Sequence, residues 1–503
     1  MIAAAEFTRP ESARLLDRLG QLGVPLADLT ADSRAVKLGS IFVAYPGTVL
    51  DGRGFIAEAI ARGAAAVLWE RGGFTWNEGW QVPNLGVEDL RARISEIAGH
   101  VHGNPSESLW MAGVTGTNGK TSVSQWIAAA SNALGRRSAV IGTLGNGLVG
   151  ERVEGRNTTP DPIVLQRLLA DYLRRGARCV AMEVSSHGLH QARVAGIRYD
   201  AAVFTNLTRD HLDYHGTMEA YAEAKFALFA ARGLKHAIVN VDDDWGLRFA
   251  ARLATSGLTL ITYGTSGKPR LLASAVRLSE AGVRFRVSGD LGSGEVAAPV
   301  LGAFNVSNLL AVLGTLLAEG IAFDEAIAAL GSLQPVTGRL ERVGGGAQPL
   351  VVIDYAHTPD ALEKALTALR ELVPRTRGHA GPRAPRLVCV FGCGGDRDSG
   401  KRPLMGAAAA RLADHVIVTS DNPRGEDPHT IIEQIMAGTP KAEAIEDRQV
   451  AIFTAVHHAR AGDVVLLAGK GHETYQEIAG IRHPFNDREV AGAALAQWET
   501  GKG

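Results

Sequence analysis

The stretch Ala112-Gly113-Val114-Thr115-Gly116-Thr117-Asn118-Gly119-Lys120-Thr121 decides how the fold of this chain is read. Leu109–Ala112 before it reads as a short apolar strand, and Thr121 to Leu134 after it as a helix stopped by Gly135. A Gly-rich turn between strand and helix aims backbone N–H groups and a helix N-terminus at one spot, which makes an anion site. Lys120 and Thr121 complete it for a nucleoside triphosphate and its Mg²⁺. The generic phosphate-loop spacing asks for Gly five places before Gly119, but Val114 stands there and Gly113 lies one place earlier. The pattern misses by one residue, while Thr-Gly-Thr-Asn-Gly-Lys-Thr keeps the required physics. A polar turn that only resembles such a loop is the plainer alternative, and the strand–turn–helix context weighs against it.

Working outward, the middle of the chain alternates strand and helix in the manner of a parallel sheet. Strands are expected at Leu109–Ala112, Ser138–Ile141, Cys179–Glu183, Ala201–Asn206, Ala237–Val241 and Leu258–Tyr263. Leu272 to Val300 carries shorter alternating runs, an antiparallel edge or insert, and helices follow near Asn305–Glu319 and Phe323–Leu330. From about Gly338 the alternation restarts, with apolar runs at Leu350–Asp354, Leu387–Phe391, Val416–Thr419 and Val464–Leu467. The first hundred or so residues form a small α/β unit with strands at Ile41–Tyr45 and Ala65–Trp69. His100 to Ser108 reads as a linker, and the basic, Pro/Gly-rich stretch Pro374 to Pro385 as an exposed loop. The expected organisation is α/β with three domains, 1–107, 108–337 and 338–503. A central ATPase-type parallel sheet is flanked by a small N-terminal unit and a C-terminal Rossmann-like unit.

At 503 residues the chain exceeds one ordinary core, and 46% apolar content with 59 glycines suits an α/β protein rich in strand-to-helix turns. A formal net charge of −1 gives no electrostatic case for nucleic acid or an anionic membrane. Three cysteines are too few for a disulfide framework, and Cys389 with Cys393 reads as a strand thiol and a loop thiol, not a redox pair. No apolar run approaches a membrane span and no signal peptide is visible, so a soluble cytoplasmic monomer is expected.

Glu183 ends an apolar strand in a carboxylate, where nucleotide-binding sheets place a Mg²⁺ ligand. Asp210-His211-Leu212-Asp213-Tyr214-His215 follows the next strand, as a second ligand source or a solvated polar loop. His211 and His215, four apart, leave zinc as an alternative, although no third ligand has recognisable spacing. Lys225, in an expected amphipathic helix over Tyr221–Phe229, reads on its own as a snorkelling surface lysine. In the last domain, loops 355–360, 392–398, 420–424 and 469–473 each follow a strand. If those strands are parallel, all four sit at the ligand-binding carboxyl edge. Arg397, Asn422, Arg424 and Glu473 there suit a zwitterion, arginine for carboxylate and glutamate for ammonium. Separate structural turns are the alternative.

Together these motifs resemble the Mur ligase family of ADP-forming amide-bond ligases over nearly the whole chain. The matching segments are Asp32-Ser33-Arg34, Thr115 to Thr121, Asn157-Thr158-Thr159-Pro160, Glu183 to Gly188, Gly302 to Asn308, Asp354 to Asp360 and Gly469 to Glu473. Within the family they are most similar to the branch that adds the third amino acid of the peptide. The resemblance implies that Thr115, Gly116, Thr117, Asn118, Gly119, Lys120 and Thr121 hold ATP, with Asn308, Arg339 and Asp354 completing the nucleotide site across the domain boundary. It implies that Ser33 and the Gly47–Leu50 loop hold the UDP end of the acid substrate, and Thr158, Thr159, Ser185, Gln191 and Arg193 its muramoyl-dipeptide. Thr121, Glu183 and His211 become metal contacts, and Lys225 matches a lysine that the family carbamylates to support a second Mg²⁺.

The amino-acid side of the resemblance involves Arg397, Asp421, Asn422, Pro423, Arg424, Gly469 and Glu473. Asp421-Asn422-Pro423-Arg424 is similar to the motif of enzymes adding meso-diaminopimelate, whose second carboxylate Arg424 and Arg397 can neutralise. The implied reaction activates the D-glutamate of UDP-N-acetylmuramoyl-L-alanyl-D-glutamate as an acyl phosphate, which the incoming amine then attacks. A folate polyglutamate ligase, a sibling ligase adding D-alanyl-D-alanine and a nucleotide-gated scaffold without ligase activity are the rivals. The first hundred residues and the Asp421–Arg424 loop disfavour the first, the same loop the second, and Lys120, Thr121, Glu183, His211 and Lys225 the third.

Overall fold

A computed structural model describes residues 11–498, apart from residues 27, 48–49, 156 and 374–383. Most of the basic stretch Pro374 to Pro385, and Thr48 and Val49 of the UDP-end loop, therefore lie outside the described residues. The chain divides into two compact units. The first runs through Leu272 and includes 289–291 and 310–326; the second comprises 273–288, 292–309 and everything from 327 onward.

In the first unit, β1 (Leu29–Thr30), β2 (Ile41–Ala44), β3 (Ala66–Glu70) and β4 (Asn84–Val87) form a parallel sheet in that order. Ile41–Ala44 is buried throughout, which is why this strand reads as a continuous apolar run. The segment read as a linker is largely regular: helix Leu90–Val101 runs into it and a 3₁₀ turn spans Pro105–Glu107. That helix anchors the sheet to the following region, where Ser95 Oγ donates to Arg193 O (3.2 Å) and Gln166 Nε2 to Ser95 O (3.1 Å).

The larger sheet of this unit contains β5 (Trp110–Thr115), β6 (Ser138–Gly142), β7 (Gly145–Leu148), β8 (Cys179–Glu183), β9 (Ala201–Phe204), β10 (His236–Asn240) and β11 (Thr259–Gly264). Their order is β11-β10-β9-β5-β8-β6-β7, parallel except for the β6–β7 hairpin. The six strands expected from alternation all fall here. Helices such as Lys120–Ala133 and Pro162–Arg174 connect them. Among the described residues no helix is long and apolar enough to cross a membrane.

The expected insert is three successive neighbouring strands, β12 (Leu271–Ser279), β13 (Gly282–Gly289) and β14 (Gly292–Ala298). In the second unit, β15 (Glu341–Gly344), β16 (Leu350–Asp354), β17 (Leu387–Phe391), β18 (His415–Val418), β19 (Glu443–Ala444) and β20 (Val464–Ala468) form a sheet. Its order is β15-β16-β20-β17-β18-β19, and only β15 runs antiparallel. The loops after β16, β17, β18 and β20 consequently emerge at one carboxyl edge. All three cysteines are buried and free, Cys393 beside the Met405 sulfur.

Candidate active site

The loop between β5 and the helix Lys120–Ala133 is shaped by two glycines with positive φ, Gly116 at +148° and Gly119 at +84°. A Cβ on Gly116 would lie 1.9 Å from Thr205 Oγ1, so the loop can press against β9 only without a side chain. Thr205 Oγ1 donates to Asn118 O (2.6 Å), and Asn118 N donates to Asn206 Oδ1 (2.9 Å). Lys120 Nζ folds back onto Gly116 O and Thr117 O, both at 2.9 Å.

Thr121, at the start of this helix, donates through Oγ1 to Glu183 Oε2 at 2.9 Å, and both residues are buried. Glu183 also accepts from the Thr143 amide (2.8 Å) and hydroxyl (3.1 Å). Gly142 leaves room for that carboxylate, since a Cβ there would stand 2.2 Å from Glu183 Oε1. A buried carboxylate and a hydroxyl in contact are hard oxygen donors that fit Mg²⁺.

Lys225 corrects the reading of its helix. The helix is Met218–Phe226, continued by a 3₁₀ turn over Ala227–Ala230, and Lys225 is 1% exposed, not a surface residue. Its Nζ donates to Gly116 O at 2.8 Å and lies 4.5 Å from the Tyr221 ring centroid. Burial, and then neighbouring Lys120, push the amine well below the ordinary lysine value, with Asp210 opposing.

His211 takes the left-handed conformation (φ 52°) before the short helix Leu212–His215. Its ring packs edge-on against His187, with centroids 4.8 Å apart, and Tyr214 lies 4.2 Å from His187. Burial, His211 and His215 push the His187 imidazole down to about 4. Among the described residues, no group of three or more His, Cys, Asp or Glu is placed to hold a metal.

Thr159, Ser185, Gln191 and Arg193 gather beside the end of β8. Thr159 Oγ1 is 2.9 Å from Glu183 O and 3.1 Å from Ser185 Oγ; Arg193 donates to Thr159 O (2.8 Å) and Gln191 Oε1 (2.6 Å). Thr158 Oγ1 meets Thr143 Oγ1 at 3.0 Å, joining this group to the Glu183 shell. Sequence reading missed Tyr214 as the bridge between this group and the histidines: Gln191 Nε2 donates to its hydroxyl (3.2 Å), which also contacts His190 Nδ1 (2.9 Å). It also missed Tyr45, whose phenol is raised to about 12 by burial and Asp161, against Arg91 and Arg193. Ser33 has a different partner, donating through Oγ to Glu58 Oε2 at 2.9 Å.

In the second unit the four loops do converge. Asn422 Nδ2 donates to Glu473 Oε2 (2.8 Å), and Arg424 donates to Gly395 O (2.8 Å). Asp421 and Pro423 are buried, and burial raises the Asp421 carboxyl, with Lys470 the main opposing charge. Gly469 is buried beside Asp421. Arg397 is exposed and donates to Asp396 O (3.0 Å). Arg339 stacks 5.0 Å above Tyr355 and draws down the Asp354 carboxyl that burial raises, whereas Asn308 pairs with Asn305 (2.8 Å). The residue sequence reading passed over is Lys470, fully buried between Asn422 and Glu473.

Three family models match successive parts of the chain. They are the Mur ligase family catalytic domain over residues 26–102, the Mur ligase middle domain over 114–316, and the Mur ligase glutamate ligase domain over 338–471. The chain belongs to the Mur ligase family, whose members form amide bonds with ATP. It is 52% identical over 484 residues to the UDP-N-acetylmuramoyl-L-alanyl-D-glutamate--2,6-diaminopimelate ligase of Chromobacterium violaceum, covering 95% of this chain and 96% of that one. The enzyme of the same name from Pseudomonas aeruginosa is 52% identical over 478 residues, covering 94% and 96%. A solved structure of an enzyme with that name superposes with a TM-score of 0.70 at 38% identity, covering 94% of this chain and 95% of the other.

Proposed function

We propose that this chain is the ATP-dependent ligase that joins meso-2,6-diaminopimelate to the D-glutamate of UDP-N-acetylmuramoyl-L-alanyl-D-glutamate. Its product is the UDP-linked tripeptide of peptidoglycan biosynthesis. The observation that carries the reading is the cluster at the carboxyl edge of the second unit's sheet, where Asn422 and Glu473 are in contact and Arg424 follows in the same loop as Asn422. An arginine there gives the distal carboxylate of diaminopimelate a bidentate partner that lysine would leave unused.

In the reaction, the γ-carboxylate of D-glutamate attacks the γ-phosphoryl group of ATP, and the acyl phosphate and ADP form. The amine of diaminopimelate then attacks the activated carbonyl, phosphate leaves, and the amine gives up its proton. The loop amides and Lys120 bind the phosphates, for which Lys120 exchanges its two carbonyl acceptors for the anion. Thr121, Glu183, His211 and Lys225 as its carbamate would hold Mg²⁺, which supplies neutralisation of charge on the transferred phosphoryl group. Thr158, Thr159, Ser185, Gln191 and Arg193 orient the muramoyl-dipeptide and Ser33 the UDP end. Asn308, Arg339 and Asp354 serve the nucleotide, and Arg397, Asp421, Pro423 and Gly469 join Asn422, Arg424 and Glu473 in receiving the amino acid. Lys225 is suited to carbamylation because a desolvated, neutral amine is the form that attacks CO₂. The same reading holds three domains, 1–107, 108–337 and 338–503, in a cytoplasmic monomer that binds small molecules and no nucleic acid.

ADP release tests the reading directly. Purified protein with Mg²⁺, ATP and UDP-N-acetylmuramoyl-L-alanyl-D-glutamate should turn over with diaminopimelate and not with L-lysine. Equal turnover with lysine overturns the role of Arg424, and turnover with neither overturns the reaction.

A further inference from the structure

We infer that Lys470 is a positioning residue for the amino-acid substrate, acting through Glu473 and Asn422; this rests on the reading of those two residues as the amino-acid site. Lys470 Nζ is sealed from solvent and donates to Glu473 Oε2 (3.0 Å) and Asn422 Oδ1 (3.1 Å). An ammonium can only donate, so it forces the carboxamide of Asn422 to turn its oxygen inward. The amide nitrogen is thereby aimed at Glu473 Oε2, which it reaches at 2.8 Å.

Among the described residues, the side-chain bonds to Glu473 both fall on Oε2, leaving Oε1 for an incoming ammonium. The same Asn422 oxygen accepts from Glu477 N (2.9 Å), and Glu477 O accepts from Arg424 N (3.0 Å). Lys470 therefore stands at the start of a chain of bonds that fixes both the anionic and the cationic end of the site. The charged groups around it are Asp421, the closed pair Arg448–Asp487 (2.7 Å), and Arg424 with Glu477 (3.9 Å); Tyr475 lies 5.7 Å from Nζ. With Arg448 committed to Asp487, Lys470 is the cation in contact with Glu473.

A double-mutant cycle tests this on the full-length protein, using Lys470→Met, Glu473→Gln and the double variant in the ADP-release assay. Lys470→Met should raise KM for diaminopimelate about ten-fold or more, the effect of losing a charged hydrogen bond, and leave KM for ATP within about two-fold. In the Glu473→Gln background the same change should add less than about three-fold, because Lys470 acts through that carboxylate. Effects that multiply in full, an unchanged KM for diaminopimelate, or equal rises in both KM values overturn the inference. If Lys470→Met loses its native circular dichroism, Lys470→Arg, which keeps the charge and displaces the donors, takes its place with the same expected pattern. Wild-type protein that releases no ADP with diaminopimelate overturns the functional reading, whereas wild-type turnover with an unmoved KM in the variant overturns this inference alone.

Discussion

Lys225 and Lys470 are the same residue type at the same depth, 1% and 0% exposed, in opposite surroundings. Lys225 donates to a neutral carbonyl, Gly116 O, beside a second cation, Lys120; Lys470 donates to a carboxylate, Glu473, and a carboxamide, Asn422. Burial without a counter-charge in contact favours the neutral amine, and burial with one in contact makes an ion pair. On the proposed reading one lysine is prepared to react and be converted into an acid, and the other to hold an acid in place. The difference lies in the groups that the fold places around each amine.

The largest expected effect breaks the comparison on the reactive side. Lys225→Met should lower the rate of ADP release by about 100-fold or more, beyond the loss of an outer-shell partner. A ¹³C signal for a lysine carbamate should appear in wild-type protein equilibrated with labelled bicarbonate and be missing in the variant. Full activity in Lys225→Met would remove Lys225 from the metal site altogether. Next in size, Arg424→Ala should cost kcat/KM for diaminopimelate about 30-fold, or ~2 kcal/mol, as the distal carboxylate loses its partner. An equal loss of the residual rate with lysine would show that Arg424 supports the loop instead of reading the substrate.

Stability should separate the two lysines in the reverse sense. Lys470→Met leaves the partly buried carboxylate of Glu473 beside Asn422 without its cation, so urea denaturation should show a loss of about 2 kcal/mol. Lys225→Met replaces a desolvated amine by an apolar chain of similar volume and should stay within about 1 kcal/mol of wild type. Equal losses would mean that the two environments are energetically alike.

What the sequence discloses follows the same division. The strands were legible because sheets covered on both faces write continuous apolar runs, as in Cys179–Glu183 and Leu387–Phe391, both buried throughout. The glycines, Lys120 and Thr121 were legible because they stand together in one short stretch between a strand and a helix, and Lys120 bonds within it, to Gly116 O and Thr117 O. Lys225 carries no such signal: its nearest polar partner, Gly116, is 109 residues away. Lys470 sits inside a motif that was noticed, yet its role depends on Asn422, 48 residues earlier. Tyr214 and Tyr45 were passed over for the same reason: Tyr214, on the short helix Leu212–His215, meets Gln191 and His190, and Tyr45 feels Asp161, Arg91 and Arg193, all supplied by other segments of the chain.

The smallest expected effect is a slope against pH, and its sign differs at the two sites. The Lys225 amine is held below its unfolded value, so the unfolded chain binds a proton that the folded one refuses. Its contribution to stability is therefore present above the unfolded value of about 10.5 and is lost as pH falls toward the depressed folded value. Asp421, beside Lys470, is held above its unfolded value, so its contribution is present at acid pH and is lost as pH rises through the folded value. Denaturation midpoints measured against pH should thus show wild type minus Lys225→Met rising with pH on the alkaline side. Wild type minus Asp421→Asn should fall with pH on the acid side. Subtracting each variant cancels the buried tyrosines, whose raised phenols contribute the opposite alkaline slope. A flat Lys225 difference would mean that the amine stays charged in the fold, and the chemical contrast between the two lysines would then collapse into one of position alone.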